Sequence, residues 1–226
     1  MRTLLFDIDG TLLLTNSGGK GALDLAFIDE FGVTDAKTDI QYAGRTDRSI
    51  LSELLKRNQL PDDAHHRDRL QQRYQGFLPE ELKRRGGRVL PGVVPLLSEL
   101  SQQNNLLCLV MTGNLQHTAT LKLDHFGLSH YFRGVYGGDH DSHRDDLAKR
   151  TATEIASEHG EVATQDMIVI GDTPDDVRCG HAIGAKVLAV CTGSYDRETL
   201  EKESPMSVHD DLSDVQALLG LLAPVA

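Results

Sequence analysis

Five short apolar runs, each stopped by Gly, Asp, Thr or Asn, constrain the fold of this chain more than any other feature. They are Thr3–Phe6, Leu106–Met111, Gly134–Tyr136, Met167–Ile170 and Lys186–Val190. Such runs, without polar alternation, suit strands buried on both faces of a parallel sheet. Between them lie segments of helical period. Gly92–Gln103 repeats Val93, Leu96, Leu97 and Leu100, and Asp145–His159 repeats Leu147, Ala148, Thr151, Ala152, Ile155 and Ala156. This alternation predicts an α/β fold, a doubly wound, Rossmann-like parallel sheet covered by helices. A weaker sixth strand is expected at Met206–Val208, before a last helix at Ser213–Leu222.

The interval between the first two strands is too long for a simple crossover. Thr11 and Leu106 stand about 95 positions apart, where a strand–helix–strand unit needs a few tens of residues. The interval holds three amphipathic patterns and no convincing strand. They are Ala22–Phe31, Arg48–Arg57 and His65–Leu82. An inserted helical domain at residues 16–88 is expected, on a core made of residues 1–15 and 89–226. Ser17-Gly18-Gly19 and Arg85-Gly86-Gly87-Arg88 carry the glycines that hinges require.

The first run ends in Asp7-Ile8-Asp9-Gly10-Thr11. Side chains two apart on a strand share a direction, so Asp7 and Asp9 are expected to leave the strand end together. Open α/β sheets bind ligands at that edge. Two carboxylates 4 Å apart repel by roughly 4 kcal/mol at an effective dielectric of about 20, which calls for a cation or a shared proton. The second strand ends in Met111-Thr112-Gly113-Asn114 and the fourth in Gly171-Asp172-Thr173-Pro174-Asp175-Asp176. Arg144, Lys149 and Arg150 lie between the third and fourth strands. Converging acids, a hydroxyl, backbone N–H groups and a cation suit Mg²⁺ together with a phosphoryl group.

These motifs, in this order, resemble the haloacid dehalogenase-like hydrolases, specifically phosphatases with a helical cap between the first two core strands. Pro91-Gly92-Val93 resembles that family's return from the cap. The resemblance implies a Mg²⁺-dependent phosphatase acting on a small phosphorylated metabolite, with Asp7 as nucleophile and Asp9 as acid and then base. It implies that Asp7, the Asp9 main-chain carbonyl and Asp172 bind Mg²⁺, with Asp176 or Asp175 helping through water. Thr112 and the Gly113 N–H would hold phosphoryl oxygens, with Asn114 beside them. Many relatives carry Lys-Pro at the basic position. None occurs here, so Arg144 is assigned that role, with Lys149 as the alternative. The loop Tyr42–Asp47 resembles one that relatives lower over the site, which makes Arg45 a candidate contact to a substrate anion. A sugar-phosphate mutase shares both acids and the cap, and remains the alternative activity.

Charge and cysteine usage narrow the partners. The 226 residues carry 23 basic against 34 acidic side chains, a net charge of −11, which argues against nucleic acid or an anionic membrane as partner. Cys108, Cys179 and Cys191 are widely spaced and odd in number, as expected of small buried hydrophobes in a reducing compartment. Only Met1–Phe6 precede the first acid, and no apolar run approaches the roughly 20 residues of a bilayer crossing. A cytosolic protein is expected. His65-His66 and His140 with His143 lack zinc spacing and read as surface histidines. Ser17–Gly21 fails the spacing of a nucleotide-binding P-loop.

Overall fold

The computed structural model describes residues 1–224. In chain order, β1 (Arg2–Phe6) and β2 (Leu13–Leu14) precede three helices, α1 (Gly18–Phe31), α2 (Asp47–Arg57) and α3 (Ala64–Arg85). β3 (Arg88–Val89) and α4 (Val93–Ser101) lead into β4 (Leu106–Met111), α5 (Gln116–His125) and β5 (Val135–Tyr136). Then follow α6 (Arg144–His159), β6 (Met167–Gly171), α7 (Pro174–Ala182), β7 (Lys186–Val190), α8 (Arg197–Glu201), β8 (Ser207–His209) and α9 (Val215–Leu222).

Six strands form one parallel sheet in the order β5-β4-β1-β6-β7-β8. β1 pairs with β4 on one side and β6 on the other, with Phe6 opposite Val110 and Ile170. The chain therefore fills the sheet to one side of β1, then returns to fill the other. That reversal leaves a crevice at the carboxyl end of β1, where the flanking loops part. Alternation along β1 divides the core. Leu4 and Phe6 join the cluster containing Leu96, Leu100, Leu123 and Leu218, while Leu5 joins Leu147, Ile155, Val169 and Val177 on the opposite face. Arg2 ties the first strand to the last helix, its guanidinium donating to the carbonyls of Leu221 (3.0 Å), Leu222 (3.1 Å) and Ala223 (2.8 Å).

The three inserted helices have an apolar cluster of their own. Phe27 of α1, Leu51, Leu54 and Leu55 of α2, and Leu70, Leu78 and Leu82 of α3 are all buried in it. The helices begin on proper caps where the sequence offers them. Thr46 accepts the Ser49 N–H at the start of α2, and Asp63 accepts the His66 N–H at the start of α3. Two expectations need correction. The insertion is entered and left through a short antiparallel pair, Leu13 opposite Val89 and Leu14 opposite Arg88, too short to show as a period in sequence. Gly18 and Gly19 lie inside α1 and are no hinge. The chain turns at Asn16 and Ser17, both in the left-handed region, and at Gly86 and Gly87.

Candidate active site

Carboxylates from two strand ends meet in the crevice. Asp7 extends β1 by one residue, its N–H donating to the Ile170 carbonyl at 2.9 Å. By alternation it faces the same side as Leu5, toward α6 and α7. Arg144, the first residue of α6, reaches it there: its Nη1 lies 3.3 Å from Asp7 Oδ1, and its Nη2 donates to Asp176. Asp7, Asp172 and Asp176 each offer an oxygen within 4.8 Å of the others, and all three are buried. Burial, with the neighbouring Asp176 charge, pushes the Asp7 carboxyl up to about 7 against the pull of Arg144. Burial and the charges of Asp176 and Asp7 also drive Asp172 well above the carboxylate range. Burial opposes the charge on Arg144, but Asp176 and Asp7 outweigh it and raise its pKa further.

This trio fits a hard divalent cation. The donors are all carboxylate oxygens, and the single guanidinium does not offset their mutual repulsion. A Cβ on Gly10 or on Gly193 would overlap the Asp172 carboxylate. Asp176, the third member of the trio, is also tied into the loop beside it. It closes a capping box at the start of α7, where its Oδ2 accepts the Thr173 N–H at 3.0 Å, the Thr173 hydroxyl at 2.7 Å and the Asp172 N–H at 3.2 Å. The helix cap is therefore Thr173. Asp175 points out of the cluster, 2.9 Å from Arg178, with Gly44 of the insertion against it.

Asp9 does not follow Asp7. The strand has ended, and the Asp9 carboxylate turns to the β4–α5 side. There its Oδ2 accepts from Asn114 Nδ2 at 2.7 Å and Lys122 Nζ at 2.6 Å. Thr112 and Gly113 follow β4 and line the same crevice. Asn114 also donates to the Thr112 hydroxyl at 2.8 Å, so its amide braces neighbouring groups. The insertion lies directly on this loop. The Asp47 N–H donates to the Gly113 carbonyl at 2.7 Å, and Asp47 Oδ2 accepts the Leu115 N–H at 2.9 Å. The crevice so enclosed measures about 430 Å³, with Lys20, Leu23, Tyr42, Ile50 and Tyr74 forming its wall on the insertion side.

Comparison with known proteins now decides the family. The profile of the haloacid dehalogenase-like hydrolases matches residues 4–190. The chain belongs to the haloacid dehalogenase-like hydrolases. It is an enzyme of that family. A phosphoglycolate phosphatase from Caulobacter vibrioides is 29% identical, covering 97% of this chain and 92% of its own. Another, from Escherichia coli O157:H7, is 25% identical, with 98% and 93% covered. The crystal structure of a hydrolase from Pseudomonas syringae superposes with a TM-score of 0.70 at 24% identity, covering 99% of this chain and all of that one.

Within this hydrolase, Asp7, Asp9, Thr112, Gly113, Asn114, Arg144, Asp172 and Asp176 come together in the crevice. Lys149 does not. It is exposed on the outer face of α6, about one and a half turns from Arg144. Arg45 lines the crevice, but its guanidinium is spent within the insertion. It donates to the Gln41 carbonyl at 3.3 Å and Ser49 Oγ at 3.2 Å, and it pairs with Glu53. What presses on Gly113 is the Arg45 main-chain carbonyl. Lys122 and Asp47 were not anticipated. Lys122 shares the inward stripe of α5 with Thr118, Ala119 and Leu123, and a lysine on a buried stripe is the signal that would have found it.

Proposed function

We propose that this hydrolase cleaves phosphomonoesters of small metabolites in two steps, through an aspartyl-phosphate on Asp7, with Mg²⁺ as cofactor. One observation carries the reading: the two acids of the first motif serve different surroundings. Asp7 is buried with Arg144 and two further carboxylates, whereas Asp9, 39% exposed, faces the crevice with donors of its own. One is held as a nucleophile and the other as a proton carrier.

In the first step an Asp7 oxygen attacks phosphorus as the ester P–O bond breaks, and Asp9 delivers its proton to the leaving alkoxide. In the second, water attacks the aspartyl-phosphate, Asp9 takes a proton from it, and inorganic phosphate leaves with Asp7 restored. The Thr112 hydroxyl and the Gly113 N–H hold the phosphoryl oxygens, and Arg144 offsets the charge of the nucleophile. Asp7, Asp172 and the Asp9 main-chain carbonyl would hold Mg²⁺, with Asp176 bracing Asp172. Once bound, the ion supplies positive charge that screens the anionic nucleophile from the anionic phosphate. Residues 16–88 act as a cap on a core of residues 1–15 and 89–226, closing over the crevice to exclude water and opening for product release.

The phosphoglycolate phosphatases among its relatives make small phosphorylated acids the first substrates to test. A crevice of about 430 Å³ suits molecules of that size. The free cysteines, two of them buried, agree with a reducing cytoplasm. Phosphate release from a panel of phosphorylated acids and small sugar phosphates should require Mg²⁺ and stop with EDTA. Asp7→Asn should lower kcat by about 10⁴-fold or more, and radiolabelled phosphate trapped during turnover should be found on Asp7. Label on another residue would refute the mechanism. Conversion of a sugar phosphate to its isomer without phosphate release would make the enzyme a mutase.

A further inference from the structure

Lys122 has a part that the mechanism above does not use. The residue is 3% exposed, in the core beneath α1 of the insertion. A buried ammonium is strongly unfavourable unless paired. Here Nζ lies 2.6 Å from Asp9 Oδ2 and 2.6 Å from Asn114 Oδ1. Asn114 in turn donates to the same Asp9 oxygen at 2.7 Å and to the Thr112 hydroxyl at 2.8 Å. Gly19 leaves space above: a Cβ there would stand 3.6 Å from Nζ and 3.3 Å from the Tyr74 hydroxyl.

Both donors converge on Oδ2. Among the described residues no hydrogen bond is made to Asp9 Oδ1, which leaves that oxygen to exchange the proton. We propose that Lys122 is the positioning residue of the acid–base step. Acting with Asn114, it fixes Oδ2 so that Oδ1 addresses the leaving oxygen. The Lys122–Asn114–Thr112 chain also sets the distance between the proton carrier and the hydroxyl that holds the phosphoryl group. Lys122 itself touches neither phosphorus nor the leaving group. This inference rests on the reading of Asp9 as the acid.

Leaving-group chemistry tests it. An alkyl phosphate needs a proton delivered to its leaving oxygen, whereas p-nitrophenolate departs unaided. kcat/KM reports the first phosphoryl transfer, so it isolates that step from the later attack of water. It would be measured for 2-phosphoglycolate, or whichever alkyl phosphate leads the panel, and for p-nitrophenyl phosphate, in wild type, Asp9→Asn, Lys122→Met, Asn114→Ala and the Asp9→Asn/Lys122→Met double variant. Asp9→Asn should lose about 10²–10⁴-fold on the alkyl ester and far less on the aryl ester. Lys122→Met should show the same selectivity at about 30-fold, and Asn114→Ala at about tenfold, both smaller than the loss of the acid itself. Adding Lys122→Met to Asp9→Asn should change little, because the lysine acts through the aspartate. Competitive inhibition by inorganic phosphate should be unchanged by Lys122→Met.

Equal losses on both esters, an additive double variant, or weakened phosphate inhibition would each overturn the role of Lys122. If Asp9→Asn is itself unselective, the assignment of the acid fails, which is a separate result. Should Lys122→Met fold poorly, Asn114→Ala carries the test, since it removes the second donor to the same oxygen while leaving the ammonium paired.

Discussion

Asp172 is hemmed in by glycines, and one of them offers a sharp test at the scale of a single residue. Gly10 adopts φ +90°, which L side chains rarely take, and a Cβ there would strike the Asp172 carboxylate. Gly10→Ala therefore combines backbone strain with displacement of a proposed metal ligand. It should lower stability by about 1–3 kcal/mol and lower the response to Mg²⁺ as well. Thermal melts with and without the ion measure both. Wild-type melting would show that the turn relaxes freely and that Asp172 does not depend on it. The same crowding explains how acids two residues apart come to have separate partners: β1 stops pairing after Asp7, and the Gly10 turn carries the chain away from the strand's alternation.

At the scale of an element, α2 is pinned to the core by its first residue. Asp47 gives its N–H to Gly113 and takes the N–H of Leu115. Burial lifts its carboxyl to about 6. Lys122 and the Leu115 N–H pull it down, while the charges of Asp9 and Asp139 push it up. From its ordinary 3.8 to about 6, the folded protein holds a proton that the unfolded chain has released. Stability from this group is therefore full below that window and falls as pH rises through it. Asp47→Asn keeps an acceptor for Leu115 and removes the titration. Melting temperatures of the two proteins should diverge between pH 4 and 6 in favour of the variant, then run parallel at higher pH. A gap that ignores pH would mean that Asp47 ionises as readily folded as unfolded.

Over the whole molecule, a sheet that reverses direction at β1 gathers carboxylates from loops more than 160 residues apart in sequence, as the bond from Thr11 to Asp172 shows. Mg²⁺ should stabilise the fold by mass action, by about 2.7 kcal/mol at a hundredfold excess over Kd, and so raise the melting temperature. Asp172→Asn relieves the repulsion, so it should melt at or above wild type in EDTA yet gain little from Mg²⁺. An undiminished gain in the variant would move the ion away from this trio.

The amino-acid sequence by itself determined the strands, their alternation with helices, and the inserted helical segment, because burial on two faces and helical period are local patterns. It also marked Asp7, Thr112 and Asp172, since residues at the carboxyl ends of parallel strands must share an edge, while Arg144 was singled out by the resemblance to the family. Only the tertiary structure decided which groups pair. Lys122 looked like any helix lysine until α5 turned it inward to Asp9, and Lys149 looked usable until α6 turned it outward. Arg45, a candidate by its loop, was claimed by Glu53. Partner choice depends on the direction in which each helix presents its side chains and on how the insertion lies over the strand ends. Those are relations between segments distant along the chain, and no local pattern encodes them.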